Sequence, residues 1–180
     1  TGRAMLVMFC STVASESHVT QTTLGWFLSD GRTGTATQSL SSPQALTNPD
    51  QIGFERELLS RVNQARVSQG LQPLQPSESL LKSARVYGKE LVKSQRLGSL
   101  DAKGKSPVQR TQEAGYAQSQ TVVELLGAGY QTPAQFMNAL LANPNTVAGL
   151  LDSTENEIGI GYTFSRGDAA LHHYWPINLG

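Results

Sequence analysis

The residues suited to chemistry are few and scattered. Glu124 stands inside the apolar stretch TVVELLGAGYQTPAQF, Thr121 to Phe136. A carboxylate on a buried strand must be hydrogen-bonded, ion-paired, bound to a metal or protonated, because burying it bare costs several kcal/mol or more. Such a group is a candidate for acid–base or ligand chemistry, although structural ion pairs give the same pattern. His172 and His173 are adjacent on a strand-like run, so they point to opposite faces and cannot chelate one ion together. His18 lies far away, near the start of the chain. Cys10 is the one cysteine, which rules out an intrachain disulfide and any cysteine-rich metal site. It reads as a small apolar residue in a β-run. The chain lacks the Gly-x-Ser-x-Gly elbow of a serine hydrolase. Its GAGY, Gly127 to Tyr130, lacks the lysine and helix start of a phosphate loop. Arg166-Gly167-Asp168 reads as a polar hairpin loop rather than an adhesion motif.

The elements that must position these groups fall into two parts. Residues 1–48 read as a β-rich extension and linker, and residues 49–180 as one domain. In the extension, GRAMLVMFCSTVAS resembles the end of a secretory signal, but its short apolar run suits an ordered β-segment. Two strand-like runs flank Asp30-Gly31, a pair suited to a tight hairpin turn. In the domain, Asn48-Pro49 marks a helix start, and Phe54, Leu58, Val62 and Ala65 give that helix one apolar face up to Gly70. A second helix opens near Ser77 with Leu80, Ala84, Tyr87 and Leu91 on one side. Ser106-Pro107 opens a third that stops at Gly115, Thr132-Pro133 a fourth, and a short fifth leads into Leu150-Leu151. Strands are expected at Thr121 to Leu126, Glu157 to Phe164 and Leu171 to Leu179, the last two as an antiparallel hairpin. This is an α+β layered arrangement.

Composition narrows the function. With 180 residues, 38% apolar and 16% charged, the chain suits a folded soluble protein. A formal net charge of zero gives no electrostatic reason to capture nucleic acid or an anionic membrane. No apolar run reaches the ~20 residues needed to span a bilayer.

Several motifs then fall in a familiar order. LLSRVNQARVSQGLQPLQPSESLLKSARVYGKEL carries Asn63, Arg66, Gly70, Leu71, Leu74, Leu80 and Ala84. GKSPVQRTQEAGY follows, then ELLGAGY, LLDSTENEIGIGYTF and the closing YWPINLG. Together they resemble the CAP superfamily (cysteine-rich secretory proteins, antigen 5, plant pathogenesis-related proteins), and within it the cysteine-poor bacterial SCP-like branch. The resemblance covers about residues 54–180. It implies a CAP-type α-β-α sandwich around a mainly antiparallel sheet, with the N-terminal β-rich extension added to it.

In that family a cleft presents two histidines and acidic residues that can hold a divalent metal. Glu124 falls on the acidic residue of the family's Glu-Asn pair, with Leu125 at the Asn. Ser99 falls on the first histidine and Thr146 on the second. Hydroxyls are poor zinc ligands, and one carboxylate cannot close a tetrahedral site. The resemblance therefore implies a degenerate site with no metal and no cofactor. Glu124 is expected to be held by backbone amides, Ser99 or Thr146. The function expected is a non-enzymatic, secreted or periplasmic CAP protein, acting as a protein-binding or structural subunit of a larger assembly. Its partner is expected to be another protein, met through the extension, with Phe9, Trp26 and Phe27 as anchors. The alternative is a ligand-binding or hydrolytic protein using a rearranged cleft around Glu124. The resemblance also permits a lipid or another small ligand.

Overall fold

A computed structural model of the chain describes residues 4–12, 50–117, 121–167 and 171–180, with backbone alone at 9–12. The chain order is β1 (Met5–Thr12), α1 (Gln51–Ser68), β2 (Gln75–Pro76), α2 (Glu78–Ser94) and α3 (Pro107–Glu113). Then come β3 (Thr121–Ala128), α4 (Pro133–Ala142), α5 (Pro144–Leu150), β4 (Glu157–Ile160), β5 (Thr163–Phe164) and β6 (His173–Leu179). Among the described residues the strands form one sheet in the order β1-β3-β6-β4-β2, with β5 added to β6. Every pairing is antiparallel except β2 with β4. The expected Asp30-Gly31 hairpin, His18, Trp26, Phe27 and Asp168 lie outside the described residues.

The alternation of β3 and β6 creates two unlike faces. Val123, Leu125, Trp175, Ile177 and Leu179 point to one side, where Leu58 and Val62 of α1, Phe136 and Leu140 of α4, and Leu150 of α5 complete the main core. Leu126, Ala128 and Tyr174 point to the other, against Tyr87 and Leu91 of α2. Val122 joins them there, packed with Leu80 and with Val108 of α3. The result is an α-β-α sandwich, with α1, α4 and α5 on one face and α2 and α3 on the other. The α2 backbone lies directly on the sheet at Gly159: an ideal Cβ there would sit 2.1 Å from the Leu80 carbonyl carbon, so no larger residue fits.

The α1 start lies two residues beyond the expected Pro49, with Asp50 as cap and the first helical bond running from Phe54 N–H to Asp50 O. The strand expected over Glu157 to Phe164 is broken at Gly161 and Tyr162. Pro176 on the partner strand has no N–H to give, and the Tyr162 N–H is diverted to Glu55 Oε1 at 3.1 Å. The last strand begins at His173, because His172 adopts a φ of 54°.

Candidate functional site

Glu124 sits in the middle of β3 and is fully buried, on the face covered by α2 and α3. Its partner is Arg110, whose Nη2 donates to Glu124 Oε1 at 2.6 Å. The expected holders of the carboxylate, backbone amides and the hydroxyls of Ser99 and Thr146, are not its partners in the structure. Arg110 reaches Glu124 because α3 is fixed at its start. Ser106 and Gln109 form a reciprocal capping box, and Pro107 occupies the first turn. One turn into that helix, Arg110 is aimed at β3. Its Nη1 donates to Ser99 O at 2.8 Å and to Lys105 O at 2.7 Å, which ties the α2–α3 loop over the carboxylate. The guanidinium also lies over the Tyr87 ring, 3.7 Å from its centroid. The Tyr87 hydroxyl in turn donates to Gly98 O in the same loop.

Ser99 is therefore part of this cluster, contributing its carbonyl to Arg110. Thr146 is not. It lies on α5, which packs through Gly149 against Met8 of β1 and Val123 and Leu125 of β3, on the opposite face of the sheet from Glu124. The Thr146 hydroxyl donates to Leu140 O at 2.6 Å and spends its bonding inside the α4–α5 corner. Phe9 and Cys10 lie on β1, their backbones in register with Glu124 and Val123. His173 is buried, its Nδ1 2.8 Å from the Tyr162 hydroxyl. His172 turns the other way and meets Ser165 O. Arg166 and Gly167 form a turn.

Burial pushes the Glu124 carboxyl up to about 7, against the pull of Arg110 in the other direction. Burial likewise pushes the Tyr87 phenol upward, so it stays protonated as a donor. Desolvation lowers the His173 imidazole, which favours its neutral form.

The fit of this site to a divalent metal can be judged from its donors. Among the described residues no group of three or more His, Cys, Asp or Glu side chains could hold an ion. At Glu124 a guanidinium already holds Oε1, and Arg110 is the one charged group acting on the carboxyl, so no imidazole or second carboxylate joins it as a ligand. The residues present do not fit a metal. A shallow depression of about 680 Å³ lies on the outer side of α1, between residues such as Arg56, Asn63 and Val67, on the helix layer remote from Glu124.

Sequence reasoning missed Arg110 as the partner, although its position in GKSPVQRTQEAGY was visible. A buried acid with no histidine to meet it demands a base, and the arginine of that motif is the signal that could have supplied one. The helical spacing places Tyr87 in the apolar stripe of α2, and its ring packs so; its stacking on a cation has no sequence signal.

Comparison with known proteins agrees with this architecture. The profile of the CAP (cysteine-rich secretory protein) family matches residues 59–178. The chain is 27% identical over 134 residues to the uncharacterized protein YkwD of Bacillus subtilis, a match covering 74% of this chain and 49% of that protein. It thus spans about half the length of that relative. Among solved structures it resembles an outer surface protein from Borrelia burgdorferi, with a TM-score of 0.65 at 21% identity over 74% of this chain and 96% of the other. It also resembles an extracellular protein containing an SCP domain from Bacillus anthracis, with a TM-score of 0.62 at 14% identity over 72% and 40% of the two chains.

Proposed function

The chain belongs to the cysteine-rich secretory protein (CAP) family, in its bacterial SCP-like branch, and on that premise we propose a non-catalytic role for it. It acts outside the cytoplasm as a protein-binding or structural subunit of a larger assembly. The observation that carries this reading is the closure of Glu124. The acid that the resemblance puts at the family's cleft position is fully buried and ion-paired to Arg110, so a substrate or metal arriving from solvent does not reach it while α2 and α3 stay packed on the sheet.

Two further observations support the reading. The structural neighbours include proteins described as outer-surface and extracellular, and no helix among the described residues is long and apolar enough to cross a membrane. The edge position of β1, paired with β3 alone among the described residues, suits a contact that continues the sheet into a partner protein. Phe9, Trp26 and Phe27 are the anchors we assign to that contact.

The test is complementation in the source organism, comparing a deletion strain with one carrying Glu124→Gln. Glutamine keeps an acceptor for Arg110, so a non-catalytic protein retains its function in the variant. A folded Glu124→Gln protein that reproduces the deletion phenotype would overturn the reading in favour of cleft chemistry.

A further inference from the structure

Five buried side-chain atoms among the described residues have no hydrogen-bond partner within the protein: Ser83 Oγ, Glu90 Oε2, Arg110 Nε, Glu124 Oε2 and Asn178 Oδ1. Four of them belong to one neighbourhood. Glu124 and Asn178 are directly opposite each other in the β3–β6 register, so their side chains stand side by side on the same face. Arg110 Nε belongs to the guanidinium whose Nη2 is 2.6 Å from Glu124 Oε1. Ser83 lies on α2 one turn before Tyr87, the residue stacked on that guanidinium. It also lies one turn after Leu80, whose carbonyl meets Asn178 Nδ2 at 3.5 Å. The four residues are 0–8% exposed, so bulk solvent does not reach them freely.

Their chemistry is as informative as their position. With Glu124 ionised, Oε2 and Asn178 Oδ1 are both acceptors and cannot satisfy each other. Asn178 cannot simply be turned over, because its amide nitrogen faces the Leu80 carbonyl, which only accepts. Arg110 Nε donates, and the Ser83 hydroxyl can donate. Two acceptors and two donors on neighbouring residues match in number a single water molecule, which donates twice and accepts twice. Buried polar atoms in native proteins are paired with protein or ordered water, and an internal water typically makes two to four such bonds.

We propose that Ser83, Arg110, Glu124 and Asn178 form a site for one ordered internal water beneath α2 and α3. The water donates to Glu124 Oε2 and Asn178 Oδ1 and accepts from Arg110 Nε and Ser83 Oγ. It links β3, β6, α2 and α3.

A crystal structure fine enough to place ordered waters tests the site directly, with density expected within hydrogen-bonding distance of all four atoms. In solution, water-to-protein cross-relaxation in the intact protein should show a long-lived water beside the Asn178 and Ser83 side chains. Asn178→Leu, which removes an acceptor and fills the space with methyl groups, should abolish that signal. Where Asn178→Leu does not fold, Ser83→Ala should reduce it by removing one of the four partners. Clear density without a water, with Glu124 protonated and bonded directly to Asn178, would overturn the proposal. So would a water signal unchanged by either substitution.

Discussion

Replacing Arg110 by methionine removes one guanidinium and leaves two groups, Ser99 O and Glu124, in want of a partner, while Lys105 O keeps the Asp101 N–H at 3.1 Å. Ser99 O and Lys105 O lose the guanidinium donor that meets them at 2.8 and 2.7 Å, and Glu124 loses its counter-ion at 2.6 Å. A buried acceptor stranded in this way costs about 1–3 kcal/mol, and breaking a buried ion pair from one side about 3–5 kcal/mol. Against a domain stability of roughly 5–15 kcal/mol the single change is large. Glu124→Leu should be costly for the mirror-image reason, since Arg110 is then left charged with two of its bonds intact. The double variant removes both charges together, so it should lose much less than the two single losses combined. A coupling of at least about 2 kcal/mol is expected, within the range of residues that share one network. Urea denaturation followed by far-ultraviolet circular dichroism at about pH 8, where Glu124 is ionised, measures the cycle. Losses that add to within ~0.5 kcal/mol would refute the reasoning, because they would mean the carboxylate and guanidinium do not depend on each other.

Glu124 also sets a pH dependence. Its folded value of about 7 lies above the 4.5 of the unfolded chain, so the folded state holds an extra proton between the two. Stability from this group is complete below the unfolded value and is lost as pH rises to about 7, by roughly 3 kcal/mol at about 1.4 kcal/mol per pH unit. Glu124→Gln should flatten that part of the profile, and a variant with the same slope as the parent would count against it. Zinc calorimetry should show no binding, and Ser99→His with Thr146→His should not create a site, because Thr146 faces the other side of the sheet from Glu124. A stoichiometric micromolar site in that double variant would contradict the layer assignment. Deleting residues 1–48 removes β1 and uncovers the edge of β3, so the truncated domain should aggregate or fail to assemble, as read by light scattering. A truncation as soluble as the full chain, and still assembling, would remove the case for a partner met through this segment.

The helices were legible because their signals are local. The apolar spacing of Leu58 and Val62, the capping box at Ser106 and the proline starts at Pro107, Pro133 and Pro144 all lie within a turn or two. The break between β4 and β5 was not legible, since it depends on Glu55, 107 residues away in sequence from Tyr162. The layer of each cleft position was hidden for the same reason. Matching Ser99, Glu124 and Thr146 to family positions says nothing about which sheet face the α4–α5 corner covers, and here it covers the face away from Glu124. The pairing with Arg110 is a long-range choice too, visible in the motif as a residue type but fixed only by α3 packing on β3. Charge balance was the available clue: a buried acid without imidazoles still needed a cation.

The reading proposed for this chain is that Glu124, paired with Arg110, is sealed from solvent and does no chemistry. Its most direct test is carboxyl labelling of the native protein with a water-soluble carbodiimide and an amine, mapped by mass spectrometry. Glu57 and Glu113, with side chains 43% and 59% exposed, should be modified readily, while Glu124 should stay unmodified until the protein is unfolded. Modification of Glu124 in the folded protein at a rate comparable to those two would contradict the claim.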